Sequence, residues 1–241
     1  MKYYNDPTFS YPDFWKGREY EHQAELLAIR TLLDGKQFET IADIGGGYGR
    51  LVDTLSEYGE KMFVVDPAFV QLDLVKDFTH TLPVLIEGNS EHTGLEDESC
   101  DLVVMVRVAH HLLHPKPSFH EIARILKPKG LFLFEFANST NLKARVRNGF
   151  GPMLLSPMDL GSTNIAVPFV NHHPASIKRA LKEEGFVLQK ELSVSNFRSP
   201  LLKQVIPTNI LLKLEELLQA PLATMRFGPS IFILAQLKQK D

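Results

Sequence analysis

The stretch from Ile41 to Leu51, reading IADIGGGYGRL, constrains this chain more than any other. Ile41, Ala42 and Ile44 form a short apolar run suited to a strand, and it ends in three glycines. From Leu51 the apolar residues Leu51, Val52 and Leu55 take helical spacing. Strand, glycine-rich turn and helix make a device for holding an anionic or sugar-bearing ligand. Glycine permits a sharp bend and close approach to the backbone. The helix start offers unpaired N–H groups and a partial positive charge. Gly45, Gly47 and Gly49 are spaced G-x-G-x-G, which is not the G-x-G-x-x-G dinucleotide fingerprint. A tight βα turn without a ligand is the plain alternative.

At 241 residues the chain is long enough for one large domain, or one domain with a cap. A formal charge of −3 argues against a general nucleic-acid binder. The single cysteine, Cys100, excludes an internal disulfide and fits a reducing, cytoplasmic setting. No apolar run has the length of a membrane span, and the start of the chain lacks the apolar core of a signal peptide.

Residues 1–17 read as an irregular aromatic arm (Tyr3, Tyr4, Phe9, Tyr11, Phe14, Trp15) whose rings anchor on the core. A helix is expected from about Arg18 to Leu33, and a second strand from Lys61 to Val65, closed by Asp66. Asp66 stands 17 residues after Gly49, where a Rossmann-type fold places a carboxylate on ribose hydroxyls. A helix N-cap explains the same position. Further strands are expected at Pro83 to Glu87, Cys100 to Val106, Leu131 to Phe136, Phe186 to Leu192 and Ser230 to Leu237. Cys100 to Val106 is almost wholly apolar, as in a parallel strand buried on both faces. Val106, Arg107, His110 and His111 then fall at its carboxyl end, where open α/β sheets bind ligands. His110 and His114 have metal-ligand spacing, but no supporting carboxylate or cysteine pattern accompanies them, and no metal is expected. A histidine that contacts or deprotonates a substrate and a structural histidine both remain open. Residues 137–171 are too long for an ordinary connection and read as an inserted cap. Its Lys143, Arg145 and Arg147 meet an anionic substrate or form a solvated face. Pro200 to Ala220 reads as one helix with a core stripe of Ile210, Leu211, Leu214, Leu217 and Leu218.

Asp43-x-Gly45-x-Gly47-x-Gly49 resembles motif I of the class I S-adenosylmethionine (SAM)-dependent methyltransferases. The run S-C-D-L-V-V-M-V-R-V-A-H-H-L resembles motif IV. H-E-I-A-R-I-L-K-P-K-G-L-F-L-F-E-F is similar to the passage that follows it in the small-molecule branch (ubiquinone/menaquinone-biosynthesis type, methyltransferase type 11), with Lys129 where glycine is commoner. The likeness covers residues 38–136 strongly and 172–237 weakly. It implies a Rossmann-like three-layer αβα sandwich of the α/β class, with a mostly parallel seven-stranded sheet and an antiparallel C-terminal strand. It further implies one methyltransferase domain over 1–241, with an arm and helix at 1–35, the cap at 137–171 and a helical insertion at 198–228.

The implied activity is methyl transfer from SAM to a small-molecule acceptor. A SAM-binding protein without transfer is the alternative. On this resemblance the SAM residues are Arg18, Asp43, Gly45, Gly46, Gly47, Asp66, Asn89, Ser90, Val106 and Arg107. Arg18 or Tyr20 would meet the SAM carboxylate, and a solvated Arg18 is equally compatible. Asn89, standing where the family often has Asp, would offer its carbonyl oxygen to the adenine amino group. His110 and His111 would face the acceptor.

Overall fold

The computed structural model describes residues 11–148, 158–161 and 169–239. Tyr3, Tyr4 and Phe9 of the arm, and 149–157 and 162–168 of the expected cap, lie outside the described residues. The elements run α1 (Tyr11–Phe14), α2 (Glu19–Leu33), β1 (Phe38–Ile44), α3 (Val52–Ser56), β2 (Gly59–Asp66), α4 (Phe69–Asp73), α5 (Val75–Phe78), β3 (Val84–Glu87) and β4 (Cys100–Met105). A 3-10 turn, Ala109–His111, follows. Then come α6 (Lys116–Ile125), β5 (Leu126–Ala137), α7 (Leu142–Asn148), β6 (Met158–Gly161), β7 (Phe169–His172), α8 (Pro174–Glu183), β8 (Phe186–Val194), α9 (Pro200–Val205), α10 (Thr208–Thr224) and β9 (Ser230–Leu237).

Seven strands form one sheet in the order β3-β2-β1-β4-β5-β9-β8, and β6 pairs with β7 apart from it. The neighbours from β3 to β5 are parallel. β9, the last strand, is antiparallel to both β5 and β8. β8 therefore runs parallel to β5, and the carboxyl ends of β1, β4, β5 and β8 share one rim. This is the sheet that the sequence resemblance implies. Alternate residues of each central strand feed two cores. Ile41, Val64, Leu102, Val104 and Leu133 pack with α2 and α3 on one face. Ala42, Ile44, Val103, Met105, Phe132 and Phe134 pack with α6 and α8 on the other. Each fully buried side chain of this kind contributes about 1.5–3 kcal/mol, which fixes the rim as a rigid platform.

Three expectations need correction. The helix expected from Pro200 to Ala220 is two helices, because Ile206 precedes Pro207 and is extended (φ −111°, ψ 126°); a residue before proline is kept out of helical geometry. The expected stripe of α10 meets the core only in part: Leu211 is buried and Leu214 and Leu218 are half-buried. Leu217 is 72% exposed and Ile210 is 47% exposed, whereas Leu211, Glu215, Gln219 and Ala223 are buried. A polar helix face is stable there because its groups are paired. The Tyr20 hydroxyl donates to Glu215 at 2.6 Å, Asn196 Nδ2 donates to Glu215 at 3.0 Å, and Gln219 Nε2 donates to the Ala24 carbonyl at 2.9 Å. Finally, Lys127–Gly130 lies inside β5, not between a helix and a strand. The register with β4 shifts there.

Lys129 takes φ +67° in that irregularity. A side chain in the left-handed region costs roughly 1 kcal/mol. Lys129→Gly is therefore expected to raise the unfolding free energy by about 0.5–1 kcal/mol, read as a higher urea midpoint at unchanged slope. A lower midpoint would show that the lysine side chain contributes more than its backbone costs.

Candidate functional site

The glycine turn forms because β1 keeps pairing past its end. Gly45 N–H donates to the Val65 carbonyl at 2.7 Å, and Gly49 N–H closes the turn on Gly46 at 3.0 Å. Gly45 takes φ +74°, and a Cβ there would lie 2.2 Å from a Val108 methyl; only glycine fits. Gly47, at φ +55°, has the Asp66 carboxylate and the Tyr11 ring 3.9 Å from where its Cβ would be. Asp66 ties the platform together. Its Oδ2 accepts from Gly47 N–H at 3.0 Å and its Oδ1 from Ala68 N–H at 2.8 Å.

A cavity of about 280 Å³ opens over this turn. Its walls are Tyr11, Gly45, Gly47, Asp66, Pro67, Ala68, Gln71, Asn89, Ser90, Arg107, Val108, His111 and Leu112. The structure thus brings together Gly45, Gly47, Asp66, Asn89, Ser90, Arg107 and His111 of the sequence candidates. Arg18, Asp43, Gly46, Val106 and His110 do not line it. Arg18 is exposed, with its guanidinium 3.8 Å from the centre of the Phe14 ring. Tyr20, the alternative to Arg18, is spent on Glu215 and on Phe197 N–H. Asp43 and Gly46 sit just under the cavity floor, where a Cβ on Gly46 would come within 2.8 Å of Asp43 Oδ2.

The floor is acidic. Asp43 Oδ2 is buried and has no hydrogen-bond partner. Burial pushes the Asp43 pKa up to about 7, opposed by Arg50 and helped by Asp66. Burial also raises Asp66, to about 6, against the pull of the Ala68 and Gly47 N–H groups. The turn and its acids are fixed from the other side by Glu25, fully buried on α2. Its carboxylate takes Arg50 Nη2 at 2.7 Å and Arg107 Nε at 2.8 Å, with Arg107 Nη2 as a further donor. Burial works to raise Glu25, but the two guanidinium groups outweigh it and leave its pKa lowered. Trp15 covers the pair, its ring 3.9 Å from the Arg50 guanidinium and 5.6 Å from that of Arg107. Arg107 has φ +64° and donates its N–H to Glu135 Oε2 at 2.9 Å.

The loop after β3 departs from expectation. Asn89 Oδ1 already accepts from the N–H groups of Glu91 (2.8 Å) and His92 (3.0 Å). Both of its lone pairs are used, so it offers no carbonyl oxygen to an adenine amino group. α6 anchors this loop. Ser118 bonds Ser90 at 2.8 Å, and Glu121 accepts from Thr93 N–H and hydroxyl at 2.8 and 2.7 Å. The Arg124 hydrogen bond leads in holding Glu121 down at about 2.

The histidines form a wall. His110 stacks on Phe169 with ring centres 4.5 Å apart and lies 3.9 Å from His111. His172 Nε2 donates to the Ala109 carbonyl at 2.9 Å and joins β7 to this wall. Burial lowers the pKa of each of the three, that of His111 to about 4. His111 is therefore neutral near pH 7 and able to accept a hydrogen bond at the cavity surface. Among the described residues no three His, Cys, Asp or Glu side chains are placed to hold a metal ion, and no helix is long and apolar enough to cross a membrane.

Sequence reasoning missed Gln71, Val108, Leu112 and the Glu25–Arg50 pair. Val108 was within reach, since it lies in the run after β4 that carries the motif IV resemblance. Tyr11 was read as an anchor, and it both anchors on Tyr48 and lines the cavity.

Asp43 makes a pH prediction. Between 3.8 and about 7 the folded protein keeps a proton that the unfolded chain has lost. The stability Asp43 contributes is thus lost as pH rises through that window, by roughly 4 kcal/mol in all. The lowered histidines act with the opposite sign over part of the same range, so the quantity to measure is a difference. The urea-derived stability of wild type minus Asp43→Asn is expected to fall from pH 4.5 to 7.5. A flat or rising difference contradicts the assignment.

Residues 42–134 match the family described as methyltransferase domain. An uncharacterized methyltransferase of Mycobacterium tuberculosis is 36% identical over 92 residues, covering 37% of this chain and 36% of that protein. The match thus spans a little over a third of the length of that curated relative. A solved Pyrococcus horikoshii protein shares the fold with TM-score 0.66 at 18% identity, covering 99% of each chain. So does a Burkholderia thailandensis 1,6-didemethyltoxoflavin-N1-methyltransferase, solved with 1,6-didemethyltoxoflavin and S-adenosylhomocysteine, with TM-score 0.61 at 15% identity over 95% of this chain and 84% of that one. Over residues 42–134 the chain thus matches the methyltransferase domain family, and over nearly its whole length it shares the fold of these solved proteins.

Proposed function

We propose that this chain binds SAM over the Gly45–Gly49 turn and transfers its methyl group to a small molecule admitted beside His111 and Leu112. The observation that carries this reading is the Asp43–Asp66 floor beneath a glycine cradle. Asp43 lies just beneath the floor, its Oδ2 buried and without a partner, and its charge favours a cation bound above the turn through the field rather than by contact. The Asp66 oxygens each accept one backbone bond and keep a lone pair for the two hydroxyls of a ribose.

Bound there, SAM supplies an electrophilic methyl carbon on a positively charged sulfur. The work of the chain is then alignment. The glycine turn and Asp66 set the depth and direction of the ribose. Gln71 and the Ser90 N–H border the base. Asn89 shapes that loop through its carbonyl oxygen, with only its amide Nδ2 left for the base. Val108 and Leu112 exclude water from the reacting side, and His111, neutral, accepts a hydrogen bond from an acceptor O–H or N–H. His110, stacked on Phe169, holds the wall behind it.

Calorimetric titration with S-adenosylhomocysteine tests this. Wild type is expected to bind in the micromolar range. Asp66→Ala is expected to weaken binding by about 1.5–3 kcal/mol, with NADH giving no heat. Binding indifferent to Asp66, or none, contradicts the proposal.

A further inference from the structure

The rim holds positive charge that the cofactor site does not use. Arg198 follows the carboxyl end of β8, on the same rim as Arg107 after β4. Its turn is rigidly built. Ser195 takes φ +60°, Asn196 is bound to Glu215 through both N–H and Nδ2, and Phe197 N–H donates to Tyr20 Oη at 3.0 Å. That last bond fastens the turn to the start of α2, two residues from Arg18. A loop locked by so many buried bonds presents its next side chain in a fixed place.

The charges around Arg198 are Arg107, Glu21 and Arg18. Glu21, the acid among them, is already taken. Glu21 accepts from Lys203 at 3.0 and 3.2 Å. Glu25 is divided between Arg50 and Arg107. Arg198 itself has no hydrogen bond or ion pair among the described residues, and Arg18 has only the Phe14 ring under its guanidinium. Arg198 is exposed, and partial desolvation, then the Arg107 charge, lower its pKa. On the same turn the Ser195 hydroxyl is 1% exposed and has no partner. A chain of net charge −3 thus carries two arginines without a carboxylate partner of their own on the side of Arg107, whose side chain lines the cavity.

We infer that the methyl acceptor carries a carboxylate or similar planar anion, which Arg198 reads with support from Arg18. A guanidinium offers two parallel N–H bonds to such a group, which fixes orientation as well as affinity. The anion lies on the β8 side of Arg107, so that the far end of the acceptor reaches the cavity beside His111. This inference rests on the methyltransferase reading of the cavity.

The test uses the full chain saturated with S-adenosylhomocysteine. Matched probes are titrated by ligand-observed NMR: 4-hydroxybenzoate against 4-hydroxybenzamide, and octanoate against octanamide. With wild type at least one acid is expected to bind roughly tenfold more tightly than its amide. Arg198→Ala is expected to bring that pair to within about twofold of each other, and Arg198→Lys to keep part of the preference. Affinity for S-adenosylhomocysteine should be the same in all three proteins, which also shows that the variants fold. Acids that bind no better than amides, acids that do not bind at all, or a preference that survives in Arg198→Ala overturns the inference while leaving the cofactor reading intact. Failure of wild type to bind S-adenosylhomocysteine overturns the cofactor reading itself.

Discussion

One buried carboxylate holds the two sides of the cavity in register. Glu25 on α2 is fully buried and shared by Arg50, just after the glycine turn, and Arg107, just after β4. A lone carboxylate in that position would cost several kcal/mol, and removal of one partner from such a pair typically costs about 3–5 kcal/mol. The three charges are therefore stable only together. Because their backbones lie on a helix and on two different strand ends, that mutual need fixes the leading helix, the turn and the rim relative to one another. Trp15 adds an aromatic face over both guanidinium groups. Glu135 completes the set by accepting the N–H of Arg107, whose left-handed backbone would otherwise be a local cost.

The cavity floor works by the opposite logic. Burial raises both Asp43 and Asp66, and the Asp66 charge adds to the rise at Asp43. With nothing between them the site favours a proton. A cation placed above them would restore both charges at once.

The glycine turn, Asp66 and the β4 run were legible because each is a local pattern: a backbone that needs glycine, an acid at a strand end, an apolar strand buried on both faces. Sheet order followed from the family resemblance that those patterns carry. What stayed hidden depends on distant partners. Nothing near Glu25 signals that it is buried, since Arg107 is 82 residues away in sequence. The buried face of α10 includes Glu215 and Gln219, and partners far off in the chain, Tyr20, Asn196 and Ala24, let those polar groups lie in the core. Asn89 was read for its side-chain chemistry, but its carbonyl oxygen is consumed by its own loop two and three residues on. Periodicity misjudged α10 for a physical reason: hydrophobic spacing marks a core face only when no paired polar group competes for it.

The most direct measurement is a crystal structure of the full chain with S-adenosylhomocysteine. The ribose hydroxyls should lie within hydrogen-bond distance of Asp66, and the sulfur should face the wall formed by Val108, His111 and Leu112. The ligand bound elsewhere, or bound over the glycine turn with Asp66 untouched, would contradict the site described above.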